Sequence, residues 1–360
     1  MLTVEMLPAG FGDAILVTYG PAAAPHRLLI DGGQAGSFPA VAKRLRSFDG
    51  PIDLLVVTHV DNDHVGGAVK LLSDAELAAR FGGIWFNGFV HLERFSGLLG
   101  PIHGERLTAR IVELGLPWNV GWPDPVNTGV GGPVVIRDEP PVMALAGGAT
   151  ATVLSPTPRK LAELLPVWQE VVEAAGLRPG VDGTEDPAVE VVAPGLLGGV
   201  TLEDLAGSDT DDDRAEANGS SIAFVFEFEG VRVLFGADAH PDAMVAGLSH
   251  LAGPDGRYAV HACKLPHHGS SGNVTQRLVG ALDCPVWMIS TNGRRFHHPD
   301  DEALARIVHG AAEGSTPRLV WNYRSDRFDA FTGDHPPDDS GYSVDVPAEG
   351  AEGIVVTLAD

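Results

Sequence analysis

A chain of 360 residues with a formal net charge of −24 is long enough for one large domain or two smaller ones. The excess of 48 acidic over 24 basic side chains opposes nonspecific binding to a phosphate backbone, since that binding depends on clustered Lys and Arg. The sequence has no run of 18 apolar residues to span a membrane, and its amino terminus lacks the features of a signal peptide. We therefore expect a cytoplasmic protein.

Short apolar strands joined by glycine turns open the chain. Three segments have strand composition, at 2–6, 13–19 and 26–30. Strands connected by turns this short pair antiparallel. The third segment ends at Asp31, which we expect to fix its loop by hydrogen bonds rather than to bind a metal. An amphipathic helix is predicted over 38–48.

The most informative stretch follows an apolar strand predicted over 52–57. Four side chains that bind metals in proteins lie within six residues: His59, Asp61, Asp63 and His64. Gly66-Gly67 then precede a segment with helical apolar spacing, 68–80, and another strand is predicted over 83–89. A metal-binding loop between a strand and a helix is where open α/β folds place their chemistry. Asp61 has a second interpretation, as a bystander beside a site for a single metal.

Residues 90–215 differ from the rest by frequent Pro, Gly and Trp. Helices are predicted over 104–114 and 161–175, the second kinked by Pro166, and a strand is predicted over 150–154. The acidic loop 209–213 is interpreted as solvated surface. We treat the whole region as an insertion that covers or shapes the site.

In the second half, strands again end in side chains that bind metals. Three such strand ends follow one another: Asp238 after a hairpin over 222–235, His267 and His268 after 260–265, and His297 and His298 after 285–290. Helices are predicted between them at 241–251 and 274–282, and the tail has strand composition at 318–322 and 342–358. Lys264, Arg294 and Arg295 are candidate anion contacts, with a solvated role as the alternative.

The clustered residue types predict a metal centre. Imidazole and carboxylate together favour zinc, manganese or iron, and a carboxylate between two clusters can bridge two ions. Two ions about 3.5–4 Å apart lower the pKa of a bridging water and hold an attacked phosphoryl or carbonyl oxygen. Such a centre generates hydroxide near neutral pH without a separate base.

Several segments together carry a family resemblance. They read GFGDA at 10–14, LIDGG at 29–33, HVDNDH at 59–64, NGSSI at 218–222, FGAD at 235–238, KLPHHGS at 264–270 and FHHP at 296–299. They resemble the metallo-β-lactamase fold, whose hallmark is HxHxDH, and are most similar to the C-terminal hydrolase domain of the competence protein ComEC. In that subgroup aspartate replaces the second histidine, as Asp61 does here. The matches cover roughly residues 1–85 and 216–305.

The resemblance implies an α/β (α+β) architecture, a metallo-β-lactamase-like four-layer αββα sandwich. It implies a single domain over 1–360, with an insertion at about 90–215 and a β-rich C-terminal extension at about 316–360. No membrane channel accompanies the domain, so a role in DNA uptake is not implied.

The resemblance also implies two divalent metal ions, Zn²⁺ or Mn²⁺. Carried over by position, the first ion is held by His59, Asp61 and Asp238, and the second by Asp63, His64, Asp238 and one histidine of the 267–268 pair. His268 is preferred because it directly precedes Gly269. The family's third histidine on the first ion has no equivalent, since Asn218 and Ser221 occupy that segment. This first site is therefore oxygen-rich and short of ligands, which implies weak binding, ready exchange of the ion, or a preference for manganese over zinc.

The resulting hypothesis is a metal-dependent phosphodiesterase or nuclease. A metal-bridging hydroxide oriented by Asp63 attacks the phosphodiester, and His267 or His298 assists the leaving oxygen. His298 has a second interpretation, as a neighbour of the helix that begins near Asp300. The expected partner is a nucleotide or single-stranded nucleic acid, without a membrane, and the 90–215 insertion offers a surface for a protein.

Two alternatives accompany this hypothesis. A lactone or thioester hydrolase of the same fold acts on a carbonyl substrate, and a metal-bound, non-catalytic subunit of a multiprotein system, such as a defence system, has no turnover.

Overall fold

Two large β-sheets with helices on their outer faces, and a small parallel sheet of two strands at 258–259 and 282–283, make up the computed structural model, which describes residues 1–92, 102–124, 130–174, 201–311 and 315–360. The strands in these ranges are β1 (Leu2–Met6), β2 (Ile15–Tyr19), β3 (His26–Ile30), β4 (Leu54–Val56), β5 (Ile84–Trp85), β6 (Val142–Ala144), β7 (Thr150–Ser155), β8 (Ala223–Phe228), β9 (Val231–Phe235), β10 (Tyr258–Ala259), β11 (Ala262–Lys264), β12 (Leu282–Asp283), β13 (Val286–Ile289), β14 (Arg318–Trp321), β15 (Ser343–Asp345) and β16 (Ile354–Ala359).

The α-helices of the same ranges vary from about one turn to nearly five turns. They are α1 (Phe38–Leu45), α2 (Asn62–Ser73), α3 (Ala75–Ala78), α4 (Phe89–Leu92), α5 (Ile102–Leu114), α6 (Pro158–Ala174), α7 (Leu202–Ala206), α8 (Glu216–Gly219), α9 (Pro241–Ser249), α10 (Gln276–Gly280), α11 (Asp301–His309), α12 (Asp326–Asp334) and α13 (Pro337–Ser340). None of these helices combines the length and hydrophobicity needed to cross a membrane.

Both large sheets are mixed. The first has the strand order β16-β1-β2-β3-β4-β5, antiparallel from β16 to β3 and parallel from β3 to β5. The second has the order β15-β14-β13-β11-β9-β8-β7-β6, parallel from β15 to β9 and antiparallel from β9 to β6. The antiparallel start of the chain and the hairpin over 222–235 are therefore confirmed.

Three apolar layers hold the sheets and helices together. The alternation of side chains along β2 assigns residues to layers: Leu16 packs towards α1, α2, α5 and α6, whereas Ile15 and Val17 pack towards the second sheet. A third layer lies between the second sheet and the helices α9 to α12, with Leu234 from β9 and Leu304 from α11 among its members. This is the four-layer αββα sandwich predicted from the sequence.

The helix after the metal-binding motif begins earlier than predicted. The sequence placed its start near residue 68, after Gly66-Gly67, whereas α2 begins at Asn62. The two glycines lie inside the helix because it approaches the loop at 32–33 very closely. A Cβ on Gly67 would stand 1.8 Å from the carbonyl oxygen of Gly32. Asp63 and His64 therefore lie on the first turn of a helix, which orients them more rigidly than a loop.

The region at 90–215 takes part in the layers described above. Its helices α5 and α6 cover the first sheet, and β7 pairs antiparallel with β8 in the second. Pro166 lies inside α6, and residue 175, at the predicted end of that helix, falls outside the described residues. The single-domain arrangement with an insertion stays a prediction.

The tail after residue 316 divides between the two sheets. One continuous segment of strand composition was predicted over 342–358, but it forms two strands. β15 joins β14 in the second sheet, and β16 joins β1 in the first. Between them, Gly350 and Gly353 have φ angles of 77° and 82°, a conformation that favours glycine. The chain thereby crosses from one sheet to the other.

A buried ion pair links the connection between β1 and β2 to the second sheet. The Lys264 ammonium at the end of β11 contacts the Asp13 carboxylate, and both side chains are fully buried. Burial acts to raise the pKa of Asp13, but Lys264 and His268 together lower it below its usual range. The interpretation of Lys264 as an anion contact or a solvated cation is therefore wrong. The contact joins residues 251 positions apart, which local sequence does not reveal.

Replacing Lys264 by methionine should destabilise the fold, because the Asp13 carboxylate would then be buried without a counter-charge. We expect the free energy of unfolding to fall by about 3–5 kcal/mol. Urea unfolding of the K264M and D13N/K264M variants measures the effect. The double variant should lose less than K264M, and equal loss in the two would contradict an ionic role for the contact.

Candidate metal centre

Imidazole groups from two halves of the chain surround one carboxylate oxygen. Asp238 follows β9, and its Oδ2 atom lies close to four ring nitrogens. The Nε2 atoms stand at 3.4 Å (His64), 3.7 Å (His268), 3.8 Å (His59) and 3.8 Å (His267). The loops after β4, β9 and β11 and the first turn of α2 thus converge at one end of the sheets.

Two further carboxylates flank this cluster on different sides. Asp61 Oδ2 lies 3.6 Å from His59 Nε2. Asp63 Oδ2 lies 3.7 Å from His268 Nε2 and 3.9 Å from His64 Nε2. The six residues predicted as metal ligands are therefore brought together, with Asp238 between two groups. Their roles as ligands stay a prediction.

Hydrogen bonds at Nδ1 aim the opposite nitrogen of each ring at the centre. His64 Nδ1 donates to Asp31 Oδ2 at 2.8 Å, and His268 Nδ1 donates to the Ser290 carbonyl at 2.8 Å. His59 Nδ1 lies 3.0 Å from the Thr58 hydroxyl, which itself donates to Asp31 Oδ2. A ring that donates from Nδ1 keeps a lone pair at Nε2, the form in which histidine binds metals.

The polar atoms left at the centre fit a bound cation. His59 Nε2 and Asp238 Oδ1 are buried and have no hydrogen-bond partner among the described residues. The Nε2 atoms of His64 and His268 stand 3.3 Å apart, although each ring already donates from Nδ1. Two lone pairs at this distance require a proton or a metal ion between or beside them. Imidazole nitrogen and carboxylate oxygen together form a donor set for zinc or manganese.

Electrostatics at the cluster show the same demand for positive charge. Burial acts to lower the pKa of His64, but Asp238 and Asp31 raise it well above its usual range. Burial acts to raise the pKa of Asp238, but His64, His268 and His267 hold it well below its usual range. Without a metal, a proton on the histidines supplies the charge that the carboxylates require.

Asp31 organises the centre without facing it. Its carboxylate accepts hydrogen bonds from the Thr58 amide (2.8 Å), the Thr58 hydroxyl (2.7 Å) and His64 Nδ1. Asp31, Asp13 and His64 lie close enough to resemble a further metal site. However, Asp31 is occupied by these hydrogen bonds and Asp13 by Lys264. Asp31 therefore fixes its loop, as predicted, and orients His64.

His267 is held by two residues that sequence reasoning missed. Its Nδ1 lies 2.9 Å from Asn273 Oδ1 and 3.5 Å from Asp213 Oδ2, and the Asn273 amide donates to that same Asp213 oxygen. Burial acts to lower the pKa of His267, but Asp238 and Asp213 raise it to about 9. Asp213 and Asn273 thus favour a protonated His267 whose Nε2 faces Asp238.

The interpretation of loop 209–213 as solvated surface is wrong for Asp213, whose side chain is 12% exposed. Arg306 of α11 holds the loop in place by donating to the Ser208 carbonyl at 2.9 Å and to the Thr210 hydroxyl at 2.8 Å. Burial acts to raise the pKa of Asp213, but hydrogen bonds from His267 and from the Ala215 amide lower it below its usual range. No local signal in an acidic run identifies which carboxylate turns inward.

His298 lies both beside the start of α11 and beside the histidine cluster. Its Nδ1 lies 2.9 Å from Asp300 Oδ1, and Asp300 is the residue that precedes α11. Its ring also stands 5.2 Å from the His267 ring, beside the cluster. Burial lowers the pKa of His298, although Asp300 acts in the opposite direction. The neighbouring His297 is exposed.

The segment in which the family resemblance expects a third histidine carries side-chain oxygen atoms instead. Asn218 and Ser221 are buried, and Asn218 Nδ2 donates to Asp213 Oδ2 at 2.7 Å. Asn218 Oδ1 and Ser221 Oγ have no hydrogen-bond partner in the described ranges.

Backbone strain is concentrated in the loops of the centre. Seven residues other than glycine have positive φ in the described ranges, and five of them lie in these loops: Asp31, Ala237, His267, His268 and His297. Such conformations cost about 1–3 kcal/mol each and persist where surrounding contacts enforce them. The contacts of Asp31 and His268 described above are of this kind.

Comparison with known proteins finds one family model that matches the amino-terminal part of the chain. Residues 8–79 match the family model of the metallo-beta-lactamase superfamily. None of the curated proteins matches the chain.

Three solved structures show distant similarity. Zn²⁺-bound PqqB from Methylobacterium extorquens is 12% identical with a TM-score of 0.41, over 99% of this chain and 100% of that one. A diphosphatase from the PhnP family is 11% identical with a TM-score of 0.39, over 99% and 98% of the two chains. The CmlA β-hydroxylase E377D mutant is 13% identical with a TM-score of 0.40, over 98% of this chain and 54% of that one. The chain thus spans about half the length of that hydroxylase. All three TM-scores are below 0.5, so these similarities carry no argument about activity.

Replacing Asp238 by asparagine should weaken metal binding, because it removes the negative charge shared by all four Nε2 atoms. We expect affinity for Mn²⁺ or Zn²⁺ to fall by at least about 100-fold, since changes even to residues behind a ligand cost about 10–100-fold. Calorimetric titration of the metal-free protein measures it. D338N, on the exposed face of α13, is the matched control. Unchanged affinity in D238N would show that the ion lies elsewhere.

Metal binding should strengthen as pH rises, because the ion displaces a proton from a histidine with a raised pKa. Below that pKa, we expect affinity to fall about tenfold per pH unit for each proton displaced. Titrations between about pH 6 and about pH 8, in buffers of different ionisation enthalpy, give both the affinity and the number of protons released. Flat affinity with no proton release would contradict binding at these rings.

Proposed function

We propose that this chain is a metal-dependent hydrolase that cleaves phosphodiesters, as a nuclease or a nucleotide phosphodiesterase. The observation that supports it is the set of unpartnered Nε2 and carboxylate atoms converging on Asp238 Oδ2. Such a set has little structural use without a cation, since buried acceptors without donors destabilise a fold.

The proposed centre has two ligand groups that share Asp238. His59, Asp61 and Asp238 would hold one ion, and Asp63, His64, His268 and Asp238 would hold the other. Two divalent ions there, zinc or manganese, would lower the pKa of a water and stabilise negative charge on the attacked phosphoryl group.

Asp63 is suited to orient the attacking water. It lies on the first turn of α2, and its side chain is 13% exposed and faces both His64 and His268. A carboxylate fixed by a helix and open to a small amount of solvent can accept a hydrogen bond from the nucleophile and later a proton.

His267 is the better of the two candidate proton donors. Its Nε2 faces the cluster, 3.8 Å from Asp238 Oδ2, and its Nδ1 is held by Asn273 and Asp213. His298 has a lowered pKa, and its Nδ1 contacts Asp300. We therefore assign the proton donation to the leaving oxygen to His267, and to His298 a supporting contact beside it.

A phosphodiester is favoured over a carbonyl substrate by the oxygen-rich side of the centre. Asp61 stands in place of a histidine, and Asn218 and Ser221 occupy the segment of another, as in the resemblance to the ComEC hydrolase domain. Hard oxygen ligands suit manganese, which is suited to phosphoryl transfer. The proposed substrate is a nucleotide or a single-stranded nucleic acid.

Activity should depend on Asp63. Protein loaded with Mn²⁺ or Zn²⁺ is expected to hydrolyse bis-p-nitrophenyl phosphate and to degrade single-stranded DNA. The D63N variant should lose activity by about 100-fold or more, because it removes the group that orients and deprotonates the water. Initial rates with metal content measured in parallel test this, with D338N as control.

The competing functions make different predictions in the same assay. Turnover of lactones or thioesters alone would replace the proposal by a carbonyl hydrolase. No turnover of any substrate, with stoichiometric metal bound, would replace it by a non-catalytic role.

A further inference from the structure

We propose that Phe296, together with Phe11 and Arg295, stacks on a nucleobase attached to the scissile phosphodiester. This inference rests on the proposed function and specifies its substrate class. Among the Phe, Tyr and Trp side chains that the structure describes, Phe296 alone is exposed, at 43%. One exposed apolar side chain is common on a protein surface, so the assignment depends on what surrounds it.

The position of Phe296 relative to the metal centre is the first supporting feature. Its ring stacks on the His298 ring at 6.3 Å between centroids, with 25° between the planes. The His298 ring in turn stands 5.2 Å from that of His267, whose Nε2 faces Asp238. Two imidazole rings therefore separate Phe296 from the shared carboxylate, so that a group attached to a bound phosphate can reach it.

A second aromatic ring and a cation complete the surface. Phe11 meets Phe296 edge to face, with centroids 5.6 Å apart and an interplanar angle of 89°. The Arg295 guanidinium lies 5.1 Å from the centroid of Phe11 and 5.0 Å from that of Phe296. Aromatic faces and guanidinium planes are the groups on which proteins stack unpaired bases.

The two loops that carry these side chains are held rigidly against each other. The Asn292 amide donates to the Gly10 carbonyl at 2.8 Å, and the Gly10 amide donates to the Tyr323 hydroxyl at 2.9 Å. On the other side of Phe11, Gly12 packs so closely on α2 that a Cβ would stand 1.7 Å from the Asp63 carbonyl oxygen. A preformed surface loses little conformational entropy when a base binds.

The surrounding charge favours a short substrate over a long strand. A cleft of about 570 Å³ continues from Gly10 and Asn292, lined by two arginines (Arg294 and Arg324) and four acidic residues (Asp326, Asp329, Glu349 and Glu352). The net negative charge of this cleft repels a phosphate backbone, and the net negative charge of the whole chain acts in the same direction. We therefore place one or two nucleotides at the site.

Two esters with the same leaving group isolate the contribution of the base. Thymidine 5′-(p-nitrophenyl phosphate) carries a base, and methyl p-nitrophenyl phosphate carries none. Phe296→Ala should lower kcat/KM for the thymidine ester about 10- to 100-fold more than for the methyl ester, the range for loss of one base stack. Phe296→Trp should restore the preference, and Val142→Ala, which trims an exposed apolar side chain on β6, should leave both rates as they are. Equal loss with both esters would overturn the inference while leaving the phosphodiesterase intact.

Fluorescence of 2-aminopurine tests the stack without turnover. The base is quenched on stacking, so titration of its 5′-monophosphate with metal-loaded D63N protein should quench it, and D63N/F296A should not. Absence of quenching with D63N would overturn the inference about the base. Failure to hydrolyse either ester is a separate result, and it would contradict the proposed function. A single-stranded decamer with 2-aminopurine at its end should bind no more than about tenfold tighter than the monophosphate. A larger preference would overturn the restriction to short substrates.

Discussion

The rest of the structure depends on one buried carboxylate oxygen that is surrounded by four imidazole nitrogens. Asp238 Oδ2 is approached to within 3.4–3.8 Å by Nε2 atoms from two halves of the chain. Three of these rings already use Nδ1 in a hydrogen bond, so Nε2 is the atom that faces a proton or a metal ion. The arrangement therefore requires positive charge at its centre, from protons or from metal ions, in a place from which water is largely excluded.

The surrounding structure meets this requirement in two ways. Hydrogen bonds on the far side of the rings fix their orientation, and the loops of the centre approach neighbouring backbone very closely. Asp31 holds the rings of His64 and, through Thr58, of His59. Close approach depends on glycines at 12, 32 and 67, where a Cβ would meet backbone atoms at 1.7–2.2 Å. Strained backbone in the same loops shows that the geometry is imposed by tertiary contacts rather than by local preference.

The parts of the fold that sequence reasoning predicted are those with local signals. Apolar runs that end in His or Asp located the ends of the strands. The alternation of side-chain direction along strands such as β2 is also a local property, because successive residues face opposite sides of the sheet. The clustering of His59, Asp61, Asp63 and His64 within six residues predicted a metal-binding motif. The four-layer architecture followed from the family resemblance of several segments, and the structure brings the predicted side chains together.

The parts that were missed depend on contacts between distant residues. Gly66-Gly67 were interpreted as preceding the helical segment 68–80, whereas their close approach to residues 32–35 explains why they lie inside the helix. Asp213 turns inward because Arg306, 93 positions later in the numbering, holds its loop. Lys264 is buried because Asp13 faces it from the other end of the chain. None of these partners is visible within a window of local sequence.

The pairing of β16 with β1 has a consequence for how the polypeptide acquires its shape during synthesis. Residues 2–6 are synthesised long before residues 354–359, which fill one of their hydrogen-bonding edges. Until then that edge of β1 is open to pairing with another nascent chain, which makes this strand a site of possible misassembly. Native closure of the first sheet is thus a late event, and it brings together the two most widely separated strands of the fold.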